Sequence, residues 1–217
     1  RLASFMGRVN YTYDDRYILT VNARGDASSK FGSNHKWGFF PAVSVAWVVG
    51  KEKFMEKLPF IDNLKVRAGY GLAGNQNGID SYTSLNLIRP NGVAPVGSSP
   101  VVTMDQLKNM NPDLKWEVKQ TFNAGIEMAL LGNRLILTAN YYNSKTKDML
   151  YLYNVSVPPF TYNTLLANIG SMRNYGTELS IGITPLKTKD MELNINANLT
   201  FQQNKLLSLD GNYQGEH

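Results

Sequence analysis

Cysteine is absent from the 217 residues, so disulfides and thiolate metal sites are excluded, although no compartment is fixed by this. Histidine is nearly absent: His35 and His217 are the only two. Long apolar runs are missing as well. The longest is Val45-Ala46-Trp47-Val48-Val49, far short of the roughly 18 residues a spanning helix needs. A barrel is not excluded, because each of its strands hides only alternate residues in lipid. No signal peptide opens the chain: Arg1-Leu2-Ala3-Ser4-Phe5 leads straight into strand-like sequence, as in a mature secreted chain or an internal fragment. Lys and Arg exceed Asp and Glu, 22 to 17, yet they are dispersed, and no basic run points to nucleic acid.

What is present is alternation. In Leu193 to Gln202, LNINANLTFQ, apolar residues hold one parity and Asn, Thr and Gln the other. That pattern fits a strand over a soluble core, and it fits equally a membrane strand with lipid outside and a wet lumen inside. The N-terminal part repeats it, with strand-like sequence on both sides of Asp14-Asp15-Arg16, a hairpin signal in which both aspartates read as turn formers. Further strands are expected over Phe39 to Val48, Leu64 to Leu72, Trp116 to Leu130, Leu135 to Lys145, Tyr175 to Ile183 and Met191 to Asn204. The expected fold class is therefore all-β, with about eight antiparallel strands.

The connections alternate in length. Short links are Asp14 to Arg16, Leu131 to Arg134 and Thr184 to Asp190; long ones are Gly25 to Gly38, Gly74 to Lys115 and Thr146 to Asn174. Val49 to Asn63 is intermediate, and its KEKFMEKL sets Phe54 and Leu58 at helical spacing, which predicts a helical turn or two. The Pro- and Gly-rich stretch from Gly74 to Lys115 reads as an extended surface loop with a short helical piece over Met104 to Met110. Short turns at one end and long loops at the other is the arrangement of an outer-membrane barrel, turns periplasmic and loops extracellular. Tyr11, Tyr13 and Tyr17 near the first turn, and Tyr141 near the far end of its strand, suit interfacial girdles.

Enzyme chemistry finds no support. Gly69-Tyr70-Gly71-Leu72-Ala73-Gly74 fits a dinucleotide fingerprint, but the Asn75-Gln76-Asn77-Gly78 that follows is loop where a helix must begin. The glycines read instead as inward strand positions where side chains crowd. No nucleophile elbow and no carboxylate set with metal spacing occurs, so catalytic, cofactor-binding and metal-ligating residues are none and no cofactor is expected. Glu127 and Glu178 lie on polar parities and read as wall residues paired with Arg or Lys. Trp37, Trp116, Tyr82 and Tyr151, in or beside long loops, have rings that suit stacking on a sugar, but they suit loop packing or an interface equally, so substrate-binding residues are left unassigned.

Three stretches carry a resemblance: GRVNYTYDDRYILTVNARGDASSKFG (Gly7 to Gly32), NPDLKWE (Asn111 to Glu117) and NIGSMRNYGTELSI (Asn168 to Ile181). With the order of the segments between them, they resemble the barrel of the SusC/RagA family of TonB-dependent outer-membrane transporters. One departure is the family's arginine-aspartate-glycine-serine-serine run, which reads Arg24-Gly25-Asp26-Ala27-Ser28-Ser29 here and leaves the loop assignment intact. The resemblance implies a plugged barrel of about 22 strands in the outer membrane of a Gram-negative bacterium, importing oligosaccharides or peptides. It also implies a SusD-like surface lipoprotein and the TonB complex as partners. Residues 1–217 are expected to be a fragment of the barrel domain, without plug or TonB box, stopping near Gly211 to His217 as an extracellular loop begins. A soluble β-sandwich or lectin-like module is the alternative. On the barrel reading Leu19, Val21, Leu137, Ala139, Leu179, Ile181, Leu193, Ile195, Leu199 and Phe201 face lipid, with Ile195 taken as mid-strand. Thr20, Asn22, Thr138, Asn140, Glu178, Ser180, Asn194, Asn196 and Asn198 face inward.

Overall fold

The computed structural model describes residues 1–32, 34–80 and 82–209. The expectation about Gly211 to His217 lies outside them. Eight strands form one continuous antiparallel sheet: β1 (Leu2–Tyr13), β2 (Tyr17–Ser28), β3 (Trp37–Val48), β4 (Ile61–Asn75), β7 (Glu117–Leu130), β8 (Leu135–Asn154), β9 (Thr164–Lys187) and β10 (Glu192–Ser208). Two further strands, β5 (Ile88–Val96) and β6 (Ser99–Gln106), make a separate hairpin between β4 and β7. Apart from that hairpin every strand pairs with its sequence neighbour, in the up-and-down order of a barrel wall. Two sheets packed face to face, which a sandwich requires, do not occur among the described residues. Among the described residues no helix is long and apolar enough to cross a membrane.

Register aligns the parities across the whole sheet. Tyr11, Leu19, Val45, Ala68, Ala124, Tyr141, Thr177 and Phe201 are successive cross-strand partners, as are Tyr13, Tyr17, Trp47, Val66, Ile126, Ala139, Leu179 and Leu199. The opposite face carries Asn198, Ser180, Thr138, Glu127 and Lys65 in one row and Thr200, Glu178, Asn140, Gly125 and Arg67 in the next. Leu19, Val21, Ile181, Leu193, Ile195, Leu199 and Phe201 are all exposed in the isolated sheet with no protein packed over them. An apolar face of this extent is at odds with water and suited to lipid. Ile195 is not mid-strand in the membrane sense: it pairs with Ile183, which pairs with Leu135 at the turn end of β8, beside a register shift. The centre of the band falls nearer Leu199.

Turns behave as their residues dictate. Asp14 and Asp15 both hold positive φ, 50° and 51°, and Leu131, Gly132 and Asn133 do so in the β7–β8 turn. Val49–Lys51 and Lys53–Lys57 are 3₁₀ turns, so the helical expectation is met; the side chains they bury are Val49 and Met55, whereas Phe54 and Leu58 are exposed.

Two expectations are corrected. No helix forms over Met104 to Met110: the β-branched run before it carries β6 on to Gln106, where Ile88 pairs with it. The prolines that argue against strands are tolerated because a two-stranded ribbon is all edge. The long link from Thr146 to Asn174 is mostly strand, since β8 reaches Asn154 and β9 starts at Thr164. Asp148, at φ 56°, sits in a bulge between Thr146 and Leu150 that shifts the register and hides the continuing alternation.

At the short-turn end, Tyr13, Tyr17 and Trp47 stack in sequence, with centroids 6.4 and 6.3 Å apart. Their polar ends meet Glu52 in the 3₁₀ link. Tyr17 donates its hydroxyl proton to Oε1 at 2.8 Å, the Trp47 indole N–H donates to the same oxygen at 3.0 Å, and Arg16 donates to Oε2 at 3.0 Å. These donors, Trp47 foremost, hold the Glu52 carboxyl below its usual range against a weaker opposing desolvation. A carboxyl depressed in the folded state stabilises above its unfolded value of 4.5, and that contribution disappears as pH falls through the lower folded value. In the full-length receptor, Glu52→Gln is expected to lower the melting temperature at neutral pH and to match the wild type once the pH is well below 4.5. A gap in melting temperature that persists at the acid end would contradict this.

Candidate functional site

The inner face is a wall of amides, hydroxyls and compensated charge. Glu127 lies 3.3 Å from Arg67 and 3.9 Å from Lys65, so this carboxylate is paired as its parity suggested. Arg67 also donates to Asn140 Oδ1 at 2.8 Å. Gly125 makes room for that crossing, since a Cβ there would stand 2.4 Å from Asn140 Oδ1 and 3.0 Å from Arg67 Nε. Gly69, Gly176 and Gly182 do the same for Asn123, Tyr142 and Asn196. The dinucleotide fingerprint thus dissolves into strand β4: Gly69 and Gly71 face Ser44 and Ala42 across the sheet, and no helix follows. Glu178 departs from expectation, for no Lys or Arg lies within 4.0 Å of it among the described residues; its neighbours in the row are Asn140 and Thr200.

Above the wall, at the long-loop end, the connections pack into a cap with its own core of Phe31, Phe40, Ile79, Leu114 and Trp116, against which Leu72, Val118, Leu150 and Leu166 rest. NPDLKWE supplies the anchor: Leu114 is fully buried, and Trp116 meets Phe31 at 4.8 Å and Phe40 edge-on at 5.5 Å. The Trp116 indole N–H donates to the carbonyl of Lys36 at 3.2 Å. Asparagines then tie this segment to β9. Asn111 donates to the Leu166 carbonyl at 2.9 Å, and Asn109 donates to the carbonyl of Thr164 at 2.9 Å while accepting from the Thr161 and Tyr162 amides. Asn168 accepts from the Lys115 amide at 3.0 Å and donates to the Lys115 and Asp148 carbonyls at 2.8 Å each. A single amide side chain thereby bridges the segment before β7 to the β8 backbone at Asp148, which do not pair directly.

The four rings considered for sugar stacking are separated by these contacts. Trp116 is structural. Trp37 stacks on Phe5 at 6.2 Å with most of its surface exposed. Tyr82 and Tyr151 are exposed. The clamp asparagines escaped sequence reasoning because Asn in a loop ordinarily signals a turn; only the repetition of Asn109, Asn111 and Asn168 beside strand ends hinted at backbone pairing. Among the described residues no group of carboxylates or histidines is placed to hold a metal ion.

The comparisons with known proteins agree with this architecture. Residues 1–216 match the family model described as TonB-dependent receptor-like, β-barrel. The chain is 34% identical over 213 residues to the TonB-dependent receptor SusC of Bacteroides thetaiotaomicron, covering 97% of this chain and 21% of that protein. It is 35% identical over 217 residues to the TonB-dependent receptor P26 of Formosa agariphila, with the same coverage. Among solved structures, the RagAB peptide importer in its open-open state superposes with a TM-score of 0.87 at 27% identity, over 99% of this chain and 22% of that one. The chain spans about a fifth of the length of the curated relatives it matches.

Proposed function

The chain belongs to the TonB-dependent receptor-like β-barrel family, in its SusC/RagA branch, and from that premise we propose that it forms part of the solute path of an energised nutrient importer. Its strands lie in the outer membrane, turns toward the periplasm and capped loops outward. The family is one of receptors and transporters rather than enzymes.

The observation that carries the transport reading is the division of one sheet into a face that is apolar from the turn end to the aromatic row of Tyr141 and Phe201 and an opposite face of amides, hydroxyls, glycines and charges. A barrel wall built this way admits water and solute on one side only. The solute class we assign is a neutral, hydroxyl-rich one, an oligosaccharide. Thr138, Asn140, Ser180, Asn194, Asn196 and Asn198 offer neutral donors and acceptors; of the carboxylates beside them Glu127 is matched by Lys65 and Arg67, and Glu178, opposite Asn140, is the single charge without a cation within 4.0 Å among the described residues of these rows. Peptide import is the second reading, favoured by the closeness of the fold to the RagAB peptide importer. Partners on this proposal are a SusD-like surface lipoprotein over the loop cap and the TonB complex acting through parts of the receptor outside this chain. An open sheet has two unpaired edges, here β1 and β10, which lipid does not tolerate; the remaining strands of the receptor barrel would pair with them.

Deleting the full-length gene tests the proposal. Growth on oligosaccharides should fail, growth on the corresponding monosaccharide should persist, and an uncoupler of the proton gradient should abolish oligosaccharide uptake. A defect confined to oligopeptides would select the second reading. Normal growth on both polymers would defeat import.

A further inference from the structure

Charges on the two faces of the sheet are arranged differently. On the inner face both signs occur, and ion pairs form there, Arg67 and Lys65 with Glu127 and Arg24 with Asp26 at 2.8 Å. On the outer face Lys145, Arg173 and Lys205 stand directly opposite one another on β8, β9 and β10, three cations side by side. All three are exposed, and none has a carboxylate within 4.0 Å among the described residues. Arg173 donates to Asn143 Oδ1 at 2.9 Å and lies over the Tyr175 ring at 5.1 Å, both neutral partners. Like charges placed opposite on neighbouring strands repel, so the row costs stability unless an anion from outside the sheet neutralises it.

Its height in the membrane says where that anion is. Leu135, Ile183 and Ile195 are cross-strand partners at the turn end of the same strands, and each cation of the row lies ten residues beyond them. Ten residues rise roughly 33 Å along a strand, and a tilt of about 40° reduces this to about 25 Å along the membrane normal, the height of the apolar band of such barrels. Between the two rows the outward residues change from aliphatic to Tyr141, Thr177 and Phe201 and then to Asn143, Tyr175 and Gln203, the sequence expected on passing from hydrocarbon to headgroups. Beside the cations lies an outward groove of about 300 Å³ lined by Tyr70, Gln120, Phe122, Asn143, Lys145, Arg173 and Leu207, with the Tyr70 and Phe122 rings on the membrane side of the cation row.

The geometry points to a binding site for an outer-leaflet phosphorylated glycolipid, its phosphate on Lys145, Arg173 and Lys205 and an acyl chain against Tyr70 and Phe122. A phosphate supplies the missing negative charge at the level of the row, and an acyl chain fills an apolar groove that opens to lipid. The inference rests on the membrane placement of the strands and is independent of which solute the receptor imports.

The test uses the full-length receptor purified in neutral detergent and titrated with monophosphoryl lipid A or with the same lipid dephosphorylated, bound lipid being counted by native mass spectrometry. Each cation at an anionic lipid surface is worth about fivefold in affinity, so K145Q/R173Q/K205Q should weaken binding of the phosphorylated lipid about a hundredfold. Binding of the dephosphorylated lipid should be weak and equal in both proteins. The charge-conserving K145R/R173K/K205R should retain binding, which guards against a loss caused by misfolding. Equal affinity of wild type and the neutral triple variant, loss in the charge-conserving variant as well, or displacement of the lipid by millimolar inorganic phosphate would each overturn the assignment. Oligosaccharide uptake, assayed separately, reports on the import reading alone.

Discussion

Trp116→Ala in the full-length receptor is expected to open the loop cap while leaving the sheet below intact. The side chain is almost wholly buried against Phe31 and Phe40, and its indole N–H satisfies the Lys36 carbonyl. Removing a buried Trp costs about 3–5 kcal/mol, because the ring's contacts disappear and the surrounding side chains relax only in part. The Lys36 carbonyl also loses a partner. Hydrogen exchange reads the loss locally: amide protection near residues 31, 40, 79 and 111–118 should fall by between about a hundredfold and a few thousandfold, with β8 and β10 near the turn end unchanged. Trp37→Ala is the control, since Trp37 is 63% exposed and contributes one stacked contact with Phe5. Equal effects of the two substitutions, or undiminished protection in the cap of the Trp116 variant, would show that the cap core does not hold the loops.

The second large effect is set by parity. Leu199→Arg should destabilise the receptor in a bilayer by about 2–4 kcal/mol, the cost of a cation near the midplane on the lipid face. Leu199 shares a row with Leu179 and Ala139 and lies near the middle of the span from the apolar row at Ile195 to the cation row at Lys205. Asn198→Arg, one residue away, should be close to neutral, because Asn198 shares a row with Ser180 and Thr138, and Glu178 stands one row above with no cationic partner of its own within 4.0 Å. Urea titration of the receptor refolded into phosphatidylcholine vesicles measures both. Comparable penalties at 198 and 199 would mean that the lipid and lumen faces are misassigned.

Much of this fold is legible in the chain because a strand's side chains alternate strictly. Wherever that period runs unbroken, as from Leu135 to Lys145 or Leu193 to Gln202, the strand, its two faces and its neighbours follow. Reading fails where something interrupts the period. The bulge at Asp148 makes β8 look finished nine residues before Asn154. Prolines at 90, 95 and 100 disguise a hairpin that, being all edge, has no inner ladder for them to disrupt. The inner wall was partly legible, since Glu127 could be placed beside cations by parity, but which cations depends on the register of β4 with β7.

By itself the sequence determined the strand class, the sorting of short turns from long loops, the two faces of each strand and, through the lack of cysteine, the absence of a thiolate centre in these residues, all properties that depend on residue type and spacing along one chain. The tertiary structure alone decided what spacing cannot encode, namely which residues of distant segments share a row. Asn168 reaches Lys115 only because β9 and the loop before β7 are brought edge to edge, and Glu127 meets Arg67 only through strand register. The three outward cations form one patch because three antiparallel strands place positions 145, 173 and 205 in one cross-strand row, a coincidence of register that no local pattern announces.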